Sequence, residues 1–196
     1  MKSSTKIILF ISISSLLILI FQKQIKSILK EKLGGYKWFE ESLKWYRDEK
    51  TKTIIYNLHP SIIYDFKEFL SRVEKEIGLQ IIATSGYRTW AEQANLHKQN
   101  KQNASAGNSD HNYGFALDIN ALDKSGKNIL MKATSKQKWQ ESGLVDIAKN
   151  MGFKWGGDFQ SYHDPVHFYK QPLSTSEMKA KYLAGNKNIN GYINLT

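Results

Sequence analysis

The chain has no cysteine among its 196 residues. Disulfides and thiolate metal sites are therefore excluded, and any metal must be held by nitrogen and oxygen donors. The compartment stays undecided, because exported proteins need not carry disulfides. Proline is scarce: Pro60, Pro165 and Pro172 are the only three. No internal repeat is present, and no apolar run reaches the length of a standard membrane-spanning helix. The longest, residues 7–21, spans about 22 Å as a helix against a bilayer core of about 30 Å.

That run is still informative. Lys2 and Lys6 precede it, Gln22 and Lys23 close it, and three serines are its only polar residues. Such length and flanks suit the apolar region of an export signal. No small-x-small cleavage site follows, which favours a signal anchor over a removed signal peptide. Lys23, Lys26, Lys30 and Lys32 outnumber Lys2 and Lys6, and by the positive-inside rule that flank belongs in the cytoplasm, against the export reading. The net charge of +10 fits either a solvated basic surface or attraction to a polyanion.

The expected organisation is residues 1–22 as signal anchor or signal peptide and 23–58 as a helical connector carrying Phe39, Leu43 and Tyr46. Residues 59–172 form the main domain, and 173–196 a C-terminal helix with a polar, disordered tail. Within the domain, Pro60 opens a helix in which Ile62, Phe66, Leu70, Val73 and Ile77 recur at three and four, and Gly78 stops it. Residues 79–84 read as a buried strand, 85–89 as a turn, 90–98 as a short helix and 99–110 as a loop. Residues 115–121 alternate as a strand, with Phe115, Leu117 and Ile119 on one face and Ala116, Asp118 and Asn120 on the other. One helix is expected over 135–151, then a bend at Trp155-Gly156-Gly157-Asp158, a strand over 166–169 and a helix near 176–183. The fold class is α+β: a small, mainly antiparallel sheet flanked by helices.

Two imidazoles and two carboxylates carry the chemistry: His111 and Asp118, then Asp164 and His167. Two histidines and one carboxylate on one zinc leave a fourth position open, as catalytic sites require, and the second carboxylate is free to take a proton. On a straight strand His111 and Asp118 would lie roughly 23 Å apart at about 3.3 Å per residue. They can share an ion only if the chain turns at Asn112-Tyr113-Gly114. His163 and His167 have the spacing of an HExxH helix, but Pro165 between them disrupts a helix. His167 is therefore the ligand, His163 a loop residue and Asp164 the general base. His59 and His97 read as ordinary structural or surface histidines.

Ser109-x-His111-x-x-Gly114-x-Ala116-x-Asp118 follows Ser85-Gly86-Tyr87-Arg88-Thr89 and precedes Trp155-Gly156-Gly157-Asp158 and Asp164-Pro165-Val166-His167-Phe168. Together these resemble the D-alanyl-D-alanine metallopeptidase family, which holds zinc D-alanyl-D-alanine carboxypeptidases and dipeptidases together with L-alanyl-D-glutamate endopeptidases. The similarity covers about residues 60–170. The Trp-Gly-Gly-Asp segment resembles the endopeptidase branch more than the carboxypeptidases.

The resemblance implies one zinc ion on His111, Asp118 and His167, with Asp164 as catalytic base. It places Arg88 where the family has an arginine steadying the oxyanion or a substrate carboxylate; a structural ion pair is the alternative. Gln93 is a candidate for orienting substrate, with helix capping or surface exposure as alternatives. Ser109 is expected to support the ligand loop; Tyr113 and Trp155 are candidates to line the cleft, with core packing as the alternative that aromatics at bends more often take. Val166 replaces a frequent proline and Phe159 a common tryptophan, and neither change removes a chemical group.

The implied activity is hydrolysis of an amide bond in the peptidoglycan stem peptide, by an exported monomer, membrane-anchored or secreted, facing the cell wall or periplasm. An L-alanyl-D-glutamate endopeptidase is favoured over a D-alanyl-D-alanine carboxypeptidase. A wall-binding module that keeps zinc without turnover is a further alternative. No phosphate-facing motif supports a nuclease, so no nucleic-acid partner is expected.

Overall fold

The structure, a computed structural model, describes residues 48–160 and 162–195. The expected signal segment and the Phe39, Leu43 and Tyr46 pattern lie outside those residues. Among the described residues no helix is long and apolar enough to cross a membrane.

Helix α1 (Glu49–Tyr56) begins at Asp48, whose side chain accepts from the Thr51 amide. Its Ile55, and Leu58 just beyond it, are fully buried. Part of the expected connector thus belongs to the core. Helix α2 (Pro60–Ile77) starts with proline in its first turn, and Gly78 ends it in the left-handed region at φ 71°. Ile62, Phe66, Phe69, Leu70 and Val73 form its buried face.

Strands β1 (Gln80–Ser85), β2 (Ala116–Leu122), β3 (Asn128–Leu130), β4 (Lys154–Trp155) and β5 (His167–Tyr169) make one sheet in the order β1-β2-β5-β4, with β3 also on β2. Every pairing is antiparallel, as expected. Alternation along β2 sends Phe115, Leu117, Ile119 and Ala121 into the core, all fully buried. Phe168 joins them, its ring 5.5 Å from that of Phe69. Ala116 and Asp118 therefore face the opposite side. Packing at this density makes Phe69→Ala or Phe168→Ala cost about 3–5 kcal/mol.

The helix expected over 135–151 is two helices, α4 (Lys136–Glu141) and α5 (Leu144–Asn150). Gly143 at φ 78° breaks it. The apolar periodicity continues across that break, which is why the pattern alone reads as one helix. Helix α3 (Trp90–Gln99) carries a capping box between Thr89 and Glu92, and α6 (Thr175–Leu183) one between Ser174 and Glu177.

The tail after α6 is not the disordered stretch its composition suggests. Lys187 bridges Ile193, the Ile193 side chain is buried, and its carbonyl lies 3.1 Å from His59 Nε2. Tyr192, edge-on to the His59 ring at 5.4 Å, and Leu195 pack beside it, so a few apolar side chains among Asn and Gly residues dock the tail. His59 is accordingly a structural residue, stacked on Phe115 at 4.5 Å.

Candidate functional site

Strand register assembles the site. Asp118 on β2 lies directly opposite His167 on β5 and opposite Ser85 on β1. A slip of one residue in either pairing would turn these side chains to the other face. His111 comes from a 3-10 turn, Asp110–Tyr113, which Gly114 ends at φ 76°. A Cβ there would stand 2.5 Å from the His59 backbone nitrogen. This is the turn that lets His111 fold back over Asp118.

Three atoms converge. His111 Nε2 lies 3.1 Å from Asp118 Oδ1 and 3.1 Å from His167 Nδ1, and His167 Nδ1 lies 3.0 Å from Asp118 Oδ1. All three side chains are buried. The far nitrogen of His111, Nδ1, is 2.6 Å from the Gly86 carbonyl oxygen, a pure acceptor, so Nδ1 carries the hydrogen. Burial lowers the His111 pKa and keeps the ring neutral. Its Nε2 lone pair then points into the triangle. Burial pushes the Asp118 carboxyl up, but its electrostatic interactions with His111 and His167 outweigh it and hold Asp118 well below the usual range. With the His111 hydrogen on Nδ1, neither His111 Nε2 nor the Asp118 carboxylate has a proton to give, so the triangle is short of donors.

Such a cluster calls for a cation. Zinc holds nitrogen and oxygen ligands at about 2.0–2.2 Å, which spaces tetrahedral donors about 3.3 Å apart. The 3.0–3.1 Å edges here suit that arrangement. Among the described residues these are the side chains grouped closely enough to hold a metal ion.

Arg88 closes the triangle from behind. Its Nη2 donates to Asp118 Oδ2 at 2.5 Å, Nε to Ser85 Oγ at 2.8 Å and Nη1 to Gln93 Oε1 at 3.4 Å. Arg88 is thus an ion-pair partner within the cluster. Gln93 is 1 % exposed, and its Nε2 donates to the Ala104 carbonyl at 2.6 Å; this rules out the surface alternative and makes it a support for Arg88. Asn112, which sequence reasoning did not single out, is the hub of the surrounding loops. It donates to the Arg88 and Thr89 carbonyls and accepts from the Gly107 amide. Nothing in its sequence context distinguishes it from the neighbouring polar residues.

Asp164 stands at the mouth. Its amide donates to the Gly156 carbonyl and its own carbonyl accepts from the His167 amide, so the Asp164–His167 turn sets both side chains at one end of β5. Asp164 Oδ1 is buried without a hydrogen-bond partner. Burial, reinforced by the Asp118 charge, pushes its pKa up. Gly156 makes the approach possible: a Cβ there would meet the Asp164 carbonyl at 2.5 Å and His167 Cβ at 2.9 Å.

The cleft above these groups measures about 250 Å³ and is lined by Arg88, Gln93, Ser109, His111, Asp164 and His167, with Phe159 and Tyr162 as an aromatic lip. Phe159 is exposed, its ring 5.8 Å from His167. Two aromatic candidates for the cleft take the core alternative. Tyr113 is buried, its hydroxyl donating to the Gly107 carbonyl at 2.8 Å. Trp155 is buried with its ring against Gly157, its Nε1 donating to the Pro165 carbonyl at 2.8 Å. Both aromatics brace the site from within the core, where a single polar tip needs just one partner. His163 is an exposed loop residue and His97 bonds the Asn103 carbonyl.

An α+β domain with a buried triangle of two histidines and one carboxylate opening on a cleft, and a second carboxylate at its mouth, is the architecture of a metal-dependent hydrolase. The family model described as D-alanyl-D-alanine carboxypeptidase matches residues 102–170. The peptidoglycan L-alanyl-D-glutamate endopeptidase CwlK of Bacillus subtilis (strain 168) is 33% identical over 129 residues, covering 59% of this chain and 75% of the relative. Two solved structures are similar at lower identity. The Serratia marcescens L-Ala D-Glu endopeptidase ChiX gives a TM-score of 0.47 at 17% identity, over 62% of this chain and 86% of its own. The vancomycin resistance D,D-pentapeptidase VanY gives 0.45 at 20%, over 61% and 82%. The chain belongs to the D-alanyl-D-alanine metallopeptidase family and is a peptidase.

Proposed function

We propose that the protein is a zinc peptidase that hydrolyses an amide bond in the peptide stem of peptidoglycan, with the L-alanyl-D-glutamate bond as its target. The observation that carries the reading is the convergence of His111 Nε2, Asp118 Oδ1 and His167 Nδ1 within 3.0–3.1 Å of one another. The identity to CwlK supports the choice of bond.

Zinc on these three residues would polarise the scissile carbonyl and make water a nucleophile near neutral pH. Asp164, with an unpaired oxygen and a raised pKa, takes the proton from the attacking water and hands it to the leaving amine. Arg88 and Gln93 hold Asp118 in position, and the remaining guanidinium hydrogens favour negative charge developing nearby. The Gly86 carbonyl fixes the His111 tautomer. Asp164 also argues against a non-catalytic zinc module, since a module without turnover has no use for a carboxylate at the cleft mouth whose buried Oδ1 has no hydrogen-bond partner. The wall substrate and the apolar run over residues 7–21 together support an exported, wall-facing protein tethered at the membrane.

The test is digestion of defined muropeptides by the purified full-length chain, read by mass spectrometry with and without a chelator. Cleavage after L-Ala that stops with chelator is expected. Release of terminal D-Ala instead would establish the carboxypeptidase reading, in keeping with the description of the matching family model. Intact muropeptides would overturn both.

A further inference from the structure

We infer that Lys132 is a specificity-determining residue, the cation that receives the free α-carboxylate of the residue on the leaving side of the scissile bond. The inference rests on the proposed role of Asp164 as proton carrier.

Arg88 is the one cation among the described residues lining the cleft, and three of its five N–H groups are already used by Ser85, Gln93 and Asp118. Lys132 stands at the rim. Its backbone lies in a turn pinned by the Met131–Thr134 bonds and by Trp139 Nε1 donating to the Met131 carbonyl. Its side chain, 63% exposed, reaches within 3.9 Å of Asp164 Oδ1 and lies 5.5 Å from the Tyr162 ring centre. That separation is an ion pair but longer than a hydrogen bond, and Asp164 Oδ1 has no other partner. The ammonium thus stands beside the base without a hydrogen bond to it, held by the Tyr162 side chain.

The substrate supplies the matching charge. In a stem peptide the D-Glu residue is joined onward through its side chain, so its α-carboxylate is free, one carbon from the amine that leaves. A base that protonates that amine from about 2.8 Å necessarily has the carboxylate within roughly 3–5 Å, given the N–Cα and Cα–C bond lengths of about 1.5 Å. Lys132 Nζ, 3.9 Å from Asp164 Oδ1, is close enough to pair with a carboxylate held beside the base. A carboxylate there pairs with the ammonium, and an uncharged carboxamide gains nothing from it.

The experiment compares two muropeptides that differ only at the D-Glu α-carbon, one with the free carboxylate and one with the carboxamide. Wild type, Lys132→Met and Lys132→Arg are assayed on both, with Asp164→Asn as reference. Lys132→Met is expected to lose roughly tenfold in kcat/KM, mainly through KM, on the carboxylate substrate and little on the amide, with Lys132→Arg restoring the preference. Equal loss on both substrates, or none on either, overturns the inference while leaving the peptidase reading intact. Full activity of Asp164→Asn, or no cleavage of either substrate by wild type, overturns both.

Discussion

Replacing Gly156 by alanine tests how closely the scaffold holds the site. The new Cβ would stand 2.5 Å from the Asp164 carbonyl oxygen, where real Cβ contacts keep at least 3.0 Å. The obstacle is backbone and cannot rotate away, so the Asp164–His167 turn must retreat by at least about half an ångström. Overpacking of this kind costs about 1–3 kcal/mol, or roughly 3–10 °C in Tm for a domain of this size. Activity should fall much further, by about ten- to a hundredfold, because the base and one cluster histidine move together and a 1 Å misplacement costs about a hundredfold. Gly143→Ala is the control. Its φ of 78° strains any other residue by about 1 kcal/mol or more, and its nearest neighbour is Ile77 at 3.6 Å. It should lower Tm while leaving kcat/KM unchanged. Differential scanning fluorimetry and muropeptide turnover check both variants. Wild-type kinetics in Gly156→Ala would refute the claim that this glycine seats Asp164 and His167.

Asp164→Asn should stabilise the protein in chelator at neutral pH while lowering turnover about a hundredfold or more. Its folded pKa is raised, so the ionised carboxylate costs stability as pH rises through and above its ordinary value; the gain should therefore shrink toward pH 4 and vanish below it. A Tm below wild type at every pH would contradict this. Ile193→Ala should lower Tm by an amount corresponding to about 2 kcal/mol, because the buried Ile193 seats the tail against His59; an unchanged melting curve would show that the tail is not docked.

Much of this fold is visible in the chain itself, for identifiable reasons. The Pro60-to-Gly78 helix carries its start, stop and apolar spacing in one continuous stretch. The strand through Asp118 alternates cleanly, and the turn at Gly114 is demanded by the distance between His111 and Asp118. The break at Gly143 is masked because apolar residues continue on both sides of it. Tyr113 and Trp155 stay undecided in the sequence because an aromatic beside a catalytic motif looks the same whether it lines the cleft or props it from behind. Asn112 and Lys132 lie beyond sequence reasoning for another reason: their roles come from distant segments, Arg88 with Thr89 for one and Asp164 with Tyr162 for the other. Periodicity reports faces of local elements, and such meetings depend on tertiary packing.

Anomalous diffraction at the zinc edge from crystals grown with Zn(II) addresses the central point. A single peak about 2.0–2.2 Å from His111 Nε2, Asp118 Oδ1 and His167 Nδ1 is the expected outcome, lost in Asp118→Ala. Those three atoms turned apart with no peak between them would contradict the account.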